Sequence, residues 1–339
     1  MINVAFLGPL GTYTHQAVLQ QFPNDGNTEY TALKTIPQCF EELTHDTKLD
    51  YAVVPLENST NGQVVFTYDL LRDLMNGAVN HRQNQALPDL EVVAEQYVSI
   101  DLCLIASGTV DIEAFDKTTT VLKIYSHPQV WGQATSYLSK LRQRVKSLQM
   151  IDTTSTSDAV RYCCEKRDYE TPHEVTLAIA SSTAATLHGA TILERPINDR
   201  KGNTTRFLVL QRRDSNKGAL VARPSATSIS VQQVTLLTFV VAQDMPGSLV
   251  DVLNVLKENQ INMCSISSRP YHYPGDNESH SQKEDEESKR RKWQYIFFIE
   301  LNHESTVDWD PIFTGLSSKS LKFCLWGTFN RNARYYEIA

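Results

Sequence analysis

The side chains in this sequence that could do chemistry are hydroxyls and amides gathered in short clusters: Thr12 and Thr14, Asn58-Ser59-Thr60, Ser155-Thr156-Ser157, and Ser181-Ser182-Thr183. Each cluster falls at the start of a helical pattern, where a capping oxygen satisfies one backbone donor and further N–H groups stay open. Such helix ends hold small anions, carboxylates included, without many cations. Any one cap is compatible with a purely structural role. Several caps converging on one crevice would point to a ligand with more than one carboxylate. A further stretch, Gly202-Asn203-Thr204-Thr205-Arg206-Phe207, opens a β-rich run. By itself it reads as a strand edge with a surface arginine, a side chain suited to gripping a carboxylate with two hydrogen bonds.

Spacing argues against other chemistries. The nine histidines form no HExxH pair and no zinc-type spacing with cysteine, so no metal is expected. Gly8-Pro9-Leu10-Gly11-Thr12 follows a first strand as a phosphate-binding turn would, yet it matches neither GxGxxG nor a Walker loop with its lysine. No cofactor is expected. Of the six cysteines, Cys163 and Cys164 share a helical face with Val160 and read as core, and no pair of CxxC spacings occurs. Reduced thiols and a cytoplasmic location follow. With 39 acidic against 32 basic side chains, the net charge of −7 offers no field for nucleic acid. No segment has the length and apolarity of a membrane span, and the first residues carry no basic stretch ahead of an apolar one. A chain of 339 residues, 41% hydrophobic and 21% charged, suits two or three folded domains.

The polar clusters need elements to carry them. Residues 2–7 form a β run, and Thr14 precedes a helix with Val18 and Phe22 on one face. Tyr51 to Val54 reads as a buried strand, Pro55 to Gln63 as a polar loop, and Val64, Tyr68, Leu71 and Met75 as one face of a helix. Lys123 to Ser126 leads into a single helix with Val130, Ala134, Tyr137, Leu141 and Val145 inward, and Leu148 to Ile151 into the capped helix at Ser155. The strand Thr176 to Ala180, a short helix from Ser182 to Gly189 and the strand Thr205 to Leu210 complete the alternation. That order implies an α/β fold with mostly parallel sheets and ligand loops at the strand C-termini. Residues 77–90 lack an apolar face and read as a crossing or an excursion near a boundary between two lobes.

Residues 214–232 have small and polar side chains and little periodicity, which marks a linker. Beyond it come a strand (Val234 to Ala242), a helix (Pro246 to Glu258), two strands (Ile261 to Ser267, Trp293 to Leu301), a helix near Asp310 to Leu316, and a strand (Leu321 to Thr328). The order βαββαβ is ferredoxin-like. Residues 275–292 hold six acidic and five basic side chains with no apolar one, and read as a disordered insert. Acidic neighbours cancel the field of its basic run, Lys289 to Lys292.

Taken in order, the stretches resemble prephenate dehydratase along nearly the whole chain. The resemblance is carried by Phe6-Leu7-Gly8-Pro9 with Gly11-Thr12-Tyr13-Thr14, by Val54-Pro55-Leu56-Glu57-Asn58-Ser59 with Gly62, and by Ser126-His127-Pro128-Gln129 followed by Gln133. It continues through Ser155-Thr156-Ser157 to Asn203-Thr204-Thr205-Arg206-Phe207, and the C-terminal part resembles an ACT domain at Gly247-Ser248-Leu249-Val250 and Ser267-Ser268-Arg269-Pro270. With no helical chorismate mutase segment ahead of these motifs, the resemblance is to the monofunctional form.

The resemblance implies a catalytic domain over 1–213, two-lobed like a periplasmic solute-binding protein, with crossings near 77–95 and 190–200. A linker (214–232) and an ACT domain (233–339) follow. It implies that prephenate loses water and CO2 in the crevice to give phenylpyruvate, and that L-phenylalanine inhibits through ACT domains joined in a homodimer or homotetramer. Thr205 would donate a proton or hydrogen bond to the leaving hydroxyl, Arg206 would supply positive potential, and Phe207 would pack on the ring or crevice wall. Asn58, Ser59 and Gln133 would orient the ring carboxylate and hydroxyl; Thr12, Ser155 and Thr156 would meet the carboxylates, with His127 a second-rank contact. The effector would lie against Gly247, Ser248, Leu249, Val250 and Asn262 and against Ser268, Arg269 and Pro270.

Two family positions differ here: Ser248 stands where alanine is usual, and Ser267 where glutamate is usual. The alternatives are an arogenate dehydratase, whose substrate carries an amino group in place of the keto group, and an amino-acid sensor without catalysis.

Overall fold

The computed structural model describes residues 1–165, 173–213, 232–242, 244–271, 294–304 and 307–336. Strand β1 (Ile2–Leu7) leads to helix α1 (Tyr13–Gln21), whose cap is Thr12 and not Thr14: the Thr12 hydroxyl accepts from the His15 amide, and Thr14 is buried. Strand β2 (Thr28–Leu33), unmarked by alternation in the sequence, pairs in parallel with β1. Helix α2 (Ile36–His45) is capped by Thr35, has Pro37 in its first turn, and buries Ile36, Cys39, Phe40 and Leu43 at helical spacing. Strand β3 (Tyr51–Asn58) runs through Pro55, where a loop was expected, and β4 (Gly62–Gln63) folds back on it. A proline is tolerated there because a bulge interrupts the ladder, leaving Leu56 without an opposite residue between the Arg206–Glu57 and Phe207–Pro55 pairs. Helix α3 (Val65–Gly77) buries Tyr68, Leu71 and Met75.

Of the two readings of residues 77–90, the chain makes the excursion and not the crossing. β5 (Asn80–Arg82) and β6 (Gln85–Leu87) form a hairpin that extends the C-terminal sheet, with β6 parallel to its last strand. β7 (Leu90–Ser99) then completes the first sheet, and the chain passes to the second lobe at residues 100–102. There β8 (Cys103–Ala106), β9 (Val121–Ser126), helices α4 (Pro128–Trp131) and α5 (Thr135–Arg144), β10 (Ser147–Asp152), α6 (Thr156–Glu165), β11 (Glu174–Ala180), α7 (Ser182–Leu187) and β12 (Thr191–Glu194) make a sheet of order β10-β9-β11-β8-β12. The single helix expected over 130–145 is two, because Asp199 reaches over from the returning segment and its carboxylate caps the Thr135 and Ser136 amides at 2.7 and 2.9 Å. A side chain so distant in sequence cannot be read from local periodicity.

Strand β13 (Thr204–Arg212) returns to the first sheet and lies between β3 and β7, antiparallel to both. The order is β2-β1-β3-β13-β7, so the supposed strand edge is an interior strand. The two passages are tied together: the Ile100 amide donates to Asn203 O, and Asn198 bonds both Ile100 O and the Leu102 amide.

The C-terminal unit contains β14 (Gln233–Val240), α8 (Ser248–Glu258), β15 (Asn262–Tyr271), β16 (Gln294–His303), α9 (Asp310–Lys319) and β17 (Lys322–Asn330). Its sheet order, β15-β16-β14-β17, is the ferredoxin-like one, and β6 and β5 follow β17. One face packs under α8 and α9 through Leu237, Phe239, Val252, Leu256, Ile299 and Leu316. The other packs on the first lobe, where Ile296, Phe298, Trp326 and Tyr271 share a core with Leu71, Met75, Val92 and Leu208. Gly327 permits that approach: a Cβ there would stand 2.0 Å from the Val92 carbonyl oxygen. The linker residues 214–231 and the insert 275–292 lie outside the described residues.

Candidate active site

The parallel strands β1 and β3 place their following loops, with Thr12 and Asn58, along one edge of the first sheet; antiparallel β13 begins at that edge, with Thr205 opposite Asn58. In the second lobe β9, β10 and β11 are parallel and their C-terminal ends carry Gln133, Ser155-Thr156 and Ser181. The two edges meet. Leu10 O accepts from Ser157 Oγ at 2.6 Å, Gly11 O from Ser181 Oγ at 3.0 Å, and Tyr13 OH donates to Asp101 O at 3.3 Å. Gly11 sits at this junction: its φ is +84°, and a Cβ would lie 2.6 Å from Ser157 Oγ and 3.2 Å from Ala184 Cα.

Across this junction runs a line of neutral side chains. The Asn58 oxygen accepts from the amides of Thr60 and Asn61, both at 2.9 Å, which fixes the orientation of the carboxamide. Its nitrogen therefore donates, to Thr205 Oγ1 at 2.9 Å and to Asn203 Oδ1 at 2.8 Å. Asn203 in turn donates to Gln133 Oε1 at 2.9 Å. The directions agree along the whole line, so the Thr205 oxygen is an acceptor toward Asn58 and its proton is left to point elsewhere. At the other end Gln133 keeps its amide nitrogen as a donor. Thr205 is half-buried, so a substrate can reach it.

Ser59 clamps the start of β13: its oxygen accepts from the Thr204 amide at 2.9 Å and its hydroxyl donates to Gly202 O at 3.2 Å. The Thr12 and Ser155 hydroxyls are engaged locally. Thr12 donates to Pro9 O at 2.9 Å while capping α1, and Ser155 accepts from the Asp158 amide at 3.0 Å while capping α6. What these loops offer a carboxylate is backbone N–H and the hydroxyl of Thr156, the first residue of α6. His127 caps α4, its Nδ1 accepting from the Gln129 amide at 3.3 Å, and burial lowers its pKa against the opposing pull of Asp152.

The expectation for Arg206 is corrected and that for Phe207 is narrowed. Arg206 is not at the surface and does not face the crevice: strand alternation turns it to the side opposite Thr205. There its guanidinium lies 3.0 Å from Glu57 and 2.6 Å from Glu95 and forms a short ion pair with Glu300. Arg331 joins the cluster, 3.1 Å from Glu95. Burial alone would lower the Arg206 pKa, but Glu300 and Glu95 outweigh it and hold the group well above its ordinary value. Phe207 does return to the Thr205 side of the strand, but it is 1% exposed, in a core with Val4, Phe6, Val18 and Val98, so it offers no ring face to a ligand.

Sequence reasoning placed Ser157 and Ser181 in helix-start clusters and Asn203 in the stretch before Thr205 without giving them individual partners, and it assigned no role to Glu95 or Glu300. A signal existed for Glu300, a lone acid within the apolar run Tyr295 to Leu301. For the serines the helix-start position was readable but not the partners, which are carbonyls in another lobe.

The expected effector residues divide between two places. Gly247, with φ +90°, precedes α8; Ser248 there bonds Met245 O at 3.0 Å, Leu249 is partly buried, and Val250 is 56% exposed. Asn262 and Ser268 are exposed on β15, an edge strand. Ser267 and Arg269 turn the other way, toward the first lobe: Ser267 accepts from Gln63 at 2.7 Å and Arg269 grips Asp69 at 2.9 and 3.0 Å, while Pro270 O accepts from Arg72.

Residues 4–215 match the family model for prephenate dehydratase. A curated protein of Saccharomyces cerevisiae named probable prephenate dehydratase is 46% identical over 99% of this chain and 98% of its own length. The bifunctional chorismate mutase/prephenate dehydratase of Aquifex aeolicus is 32% identical over 88% of this chain, which spans 65% of that longer protein. Among solved structures, the prephenate dehydratase of Arthrobacter aurescens in complex with L-Phe superposes with a TM-score of 0.68 at 20% identity, covering 97% of this chain and 90% of that one. A protein described as a novel type of quorum quenching acylase also has a TM-score of 0.68, at 22% identity over 98% of this chain and 99% of its own. At such identities the structures speak to fold alone.

Proposed function

The chain belongs to the prephenate dehydratase family, and on that premise we propose that it converts prephenate to phenylpyruvate in the crevice between its lobes, under inhibition by L-phenylalanine. The observation that carries the reading is the Asn58–Thr205 hydrogen bond at the facing edges. In this reaction the bond from ring to carboxylate breaks and its electron pair enters the ring. The carbon–oxygen bond to the hydroxyl breaks opposite it, and the hydroxide leaves as water once it gains a proton. Aromatisation drives the step, so the protein's tasks are alignment and help for the departing oxygen.

Thr205 suits the second task. With its oxygen held by Asn58, its O–H is directed at the leaving hydroxyl as hydrogen-bond donor. A threonine is a weak acid at neutral pH, so this donor stabilises a transition state more readily than it surrenders its proton. Gln133, the Thr156 hydroxyl and the N–H groups before α6 on the second lobe, with those before α1 on the first, hold the two carboxylates. Arg206 and Phe207 act on the strand and not on the ring. L-phenylalanine would sit against residues 247–250 before α8 and against Asn262 and Ser268, in a homodimer or homotetramer built through the edge strand. Val250 and Ile266, 56% and 45% exposed, support a covered face there. A cytoplasmic location goes with the six free cysteines.

The test is prephenate turnover followed as phenylpyruvate, with and without L-phenylalanine, for the wild type and Thr205→Ala. The wild type should turn over and be inhibited, and the variant should lose roughly a hundredfold to ten-thousandfold in kcat. Full activity in Thr205→Ala would remove Thr205 from the reaction.

A further inference from the structure

Glu300 is a carboxylate in the middle of apolar β16, 4% exposed, on the face that the C-terminal sheet turns toward the catalytic sheet. One of its oxygens pairs with Arg206 and the other lies 3.6 Å from Arg331. Burying such an acid is costly, and apolar replacements of buried ion pairs are often as stable or more so. The sheets around it already meet through Phe298, Trp326, Leu71 and Met75. Glu300 therefore adds direction more than adhesion. Arg206, which it grips, immediately follows Thr205 in β13, beside the bulge that sets the local twist of the ladder.

The other half of the Asn58–Thr205 hydrogen bond has a tie of its own. β4 pairs with β3 at Asn58 opposite Gly62, and the next residue, Gln63, donates to Ser267 Oγ at 2.7 Å. Ser267 lies on β15 opposite Phe298 of β16, on the same strand pair that carries Glu300 opposite Ser265. The donor and the acceptor of one active-site hydrogen bond are thus each fastened, on separate strands, to the same two strands of the C-terminal sheet.

We propose that Glu300 is a positioning residue of the dehydratase site: through Arg206 it holds β13 in the placement that keeps Thr205 on Asn58, and with the Gln63–Ser267 contact it carries displacement of the β15–β16 pair to the reacting centre. The proposal rests on the dehydratase reading above. It places Ser267, which departs from the family pattern, in the link between the sheets and not in the effector pocket.

The experiment uses the full chain as wild type, Glu300→Gln, which keeps the shape without the charge, Glu300→Asp, which keeps the charge, and Gln63→Ala, an exposed change. Hydrogen exchange of the peptide covering 203–210 is read beside prephenate kinetics with and without L-phenylalanine. Glu300→Gln should speed exchange in that peptide and lower kcat on the order of tenfold to a hundredfold with KM little changed. The L-phenylalanine concentration for half-inhibition should shift roughly threefold to thirtyfold in both Glu300→Gln and Gln63→Ala, with Glu300→Asp partly restoring each. Unchanged exchange in Glu300→Gln would overturn the proposal. So would a kcat that falls only in step with the folded fraction while inhibition stays at the wild-type concentration. If Glu300→Gln does not fold, an unaltered inhibition curve for Gln63→Ala overturns the coupling. A wild type without prephenate turnover would remove the dehydratase reading, while the exchange measurement still decides what Glu300 holds.

Discussion

Thr205 and Arg206 are neighbours on one strand and live in opposite chemical worlds. On the crevice side, Thr205 belongs to a half-open line of neutral groups, Asn58, Asn203 and Gln133, in which each hydrogen bond has an assigned direction. On the other side, Arg206 sits in a cluster of full charges, buried with Glu95, Glu300 and Arg331 and open to solvent only at Glu57. Neutral donors keep their geometry near water and leave room for a charged ligand. Buried charges tolerate little displacement, because an unpaired one costs far more than a lost neutral hydrogen bond. The difference teaches that the strand separates two jobs, with chemistry at one face and mechanical registration at the other.

The sharpest way to break this comparison is to substitute one face at a time. Thr205→Val keeps volume and β-branching and should cost about a hundredfold to ten-thousandfold in kcat, with Tm unchanged; a parallel loss of Tm would mean that the two faces are not separate. Arg206→Met removes the shared cation from three carboxylates and should destabilise folding by about 3–5 kcal/mol, read from denaturant midpoints. A stable Arg206→Met protein would show that the charge cluster needs no central cation. Gly11→Ala tests the junction between lobes. Its positive φ and the Cβ contact with Ser157 should cost roughly 1–3 kcal/mol and raise KM, since the facing edges would be pushed apart; an unchanged KM would detach the junction from substrate binding.

The smallest effect concerns pH. Burial lowers the pKa of His15 and of His188 below the ordinary value of 6.5. Arg161 adds to the lowering at His188, against Asp158 and Glu165. His15 accepts from the Gly11 amide at 3.1 Å and His188 lies 3.4 Å from Ser157, so both serve the lobe junction as neutral rings. A folded value below the unfolded one means that the unfolded chain binds more protons as the pH drops beneath 6.5. Their contribution is complete above 6.5 and is lost as the pH falls through the lowered values. Tm should therefore decline modestly on acidification below 6.5, and a flat Tm there would remove both rings from the junction.

Much of the frame was legible because its signals are local. Tyr68, Leu71 and Met75 lie at helical spacing and are the buried face of α3, and the C-terminal βαββαβ order followed from alternation and length. The readings that failed share a cause. β3 continues through Pro55 because of a bulge against β13, α5 starts where Asp199 caps it, and residues 80–87 become strands only because β17 lies beside them. In each case the deciding partner is remote in sequence.

The candidate site divides along the same line. Residue types, cap positions and the order of the motifs, which the sequence carries by itself, determine that hydroxyls and amides gather at strand ends in an α/β protein of the prephenate dehydratase family. Which of those groups are free for a ligand is settled partly by local caps, on which the Thr12 and Ser155 hydroxyls are spent, and partly by tertiary contact, which spends Ser59 on β13. Only the folded chain turns Arg206 from the crevice to Glu300, 94 residues away, and sets Asn58 on Thr205 across 147. Strand alternation tells that Thr205 and Arg206 face opposite ways, but the sheet that packs on each face is chosen by long-range burial, and a sequence read locally contains no measure of it.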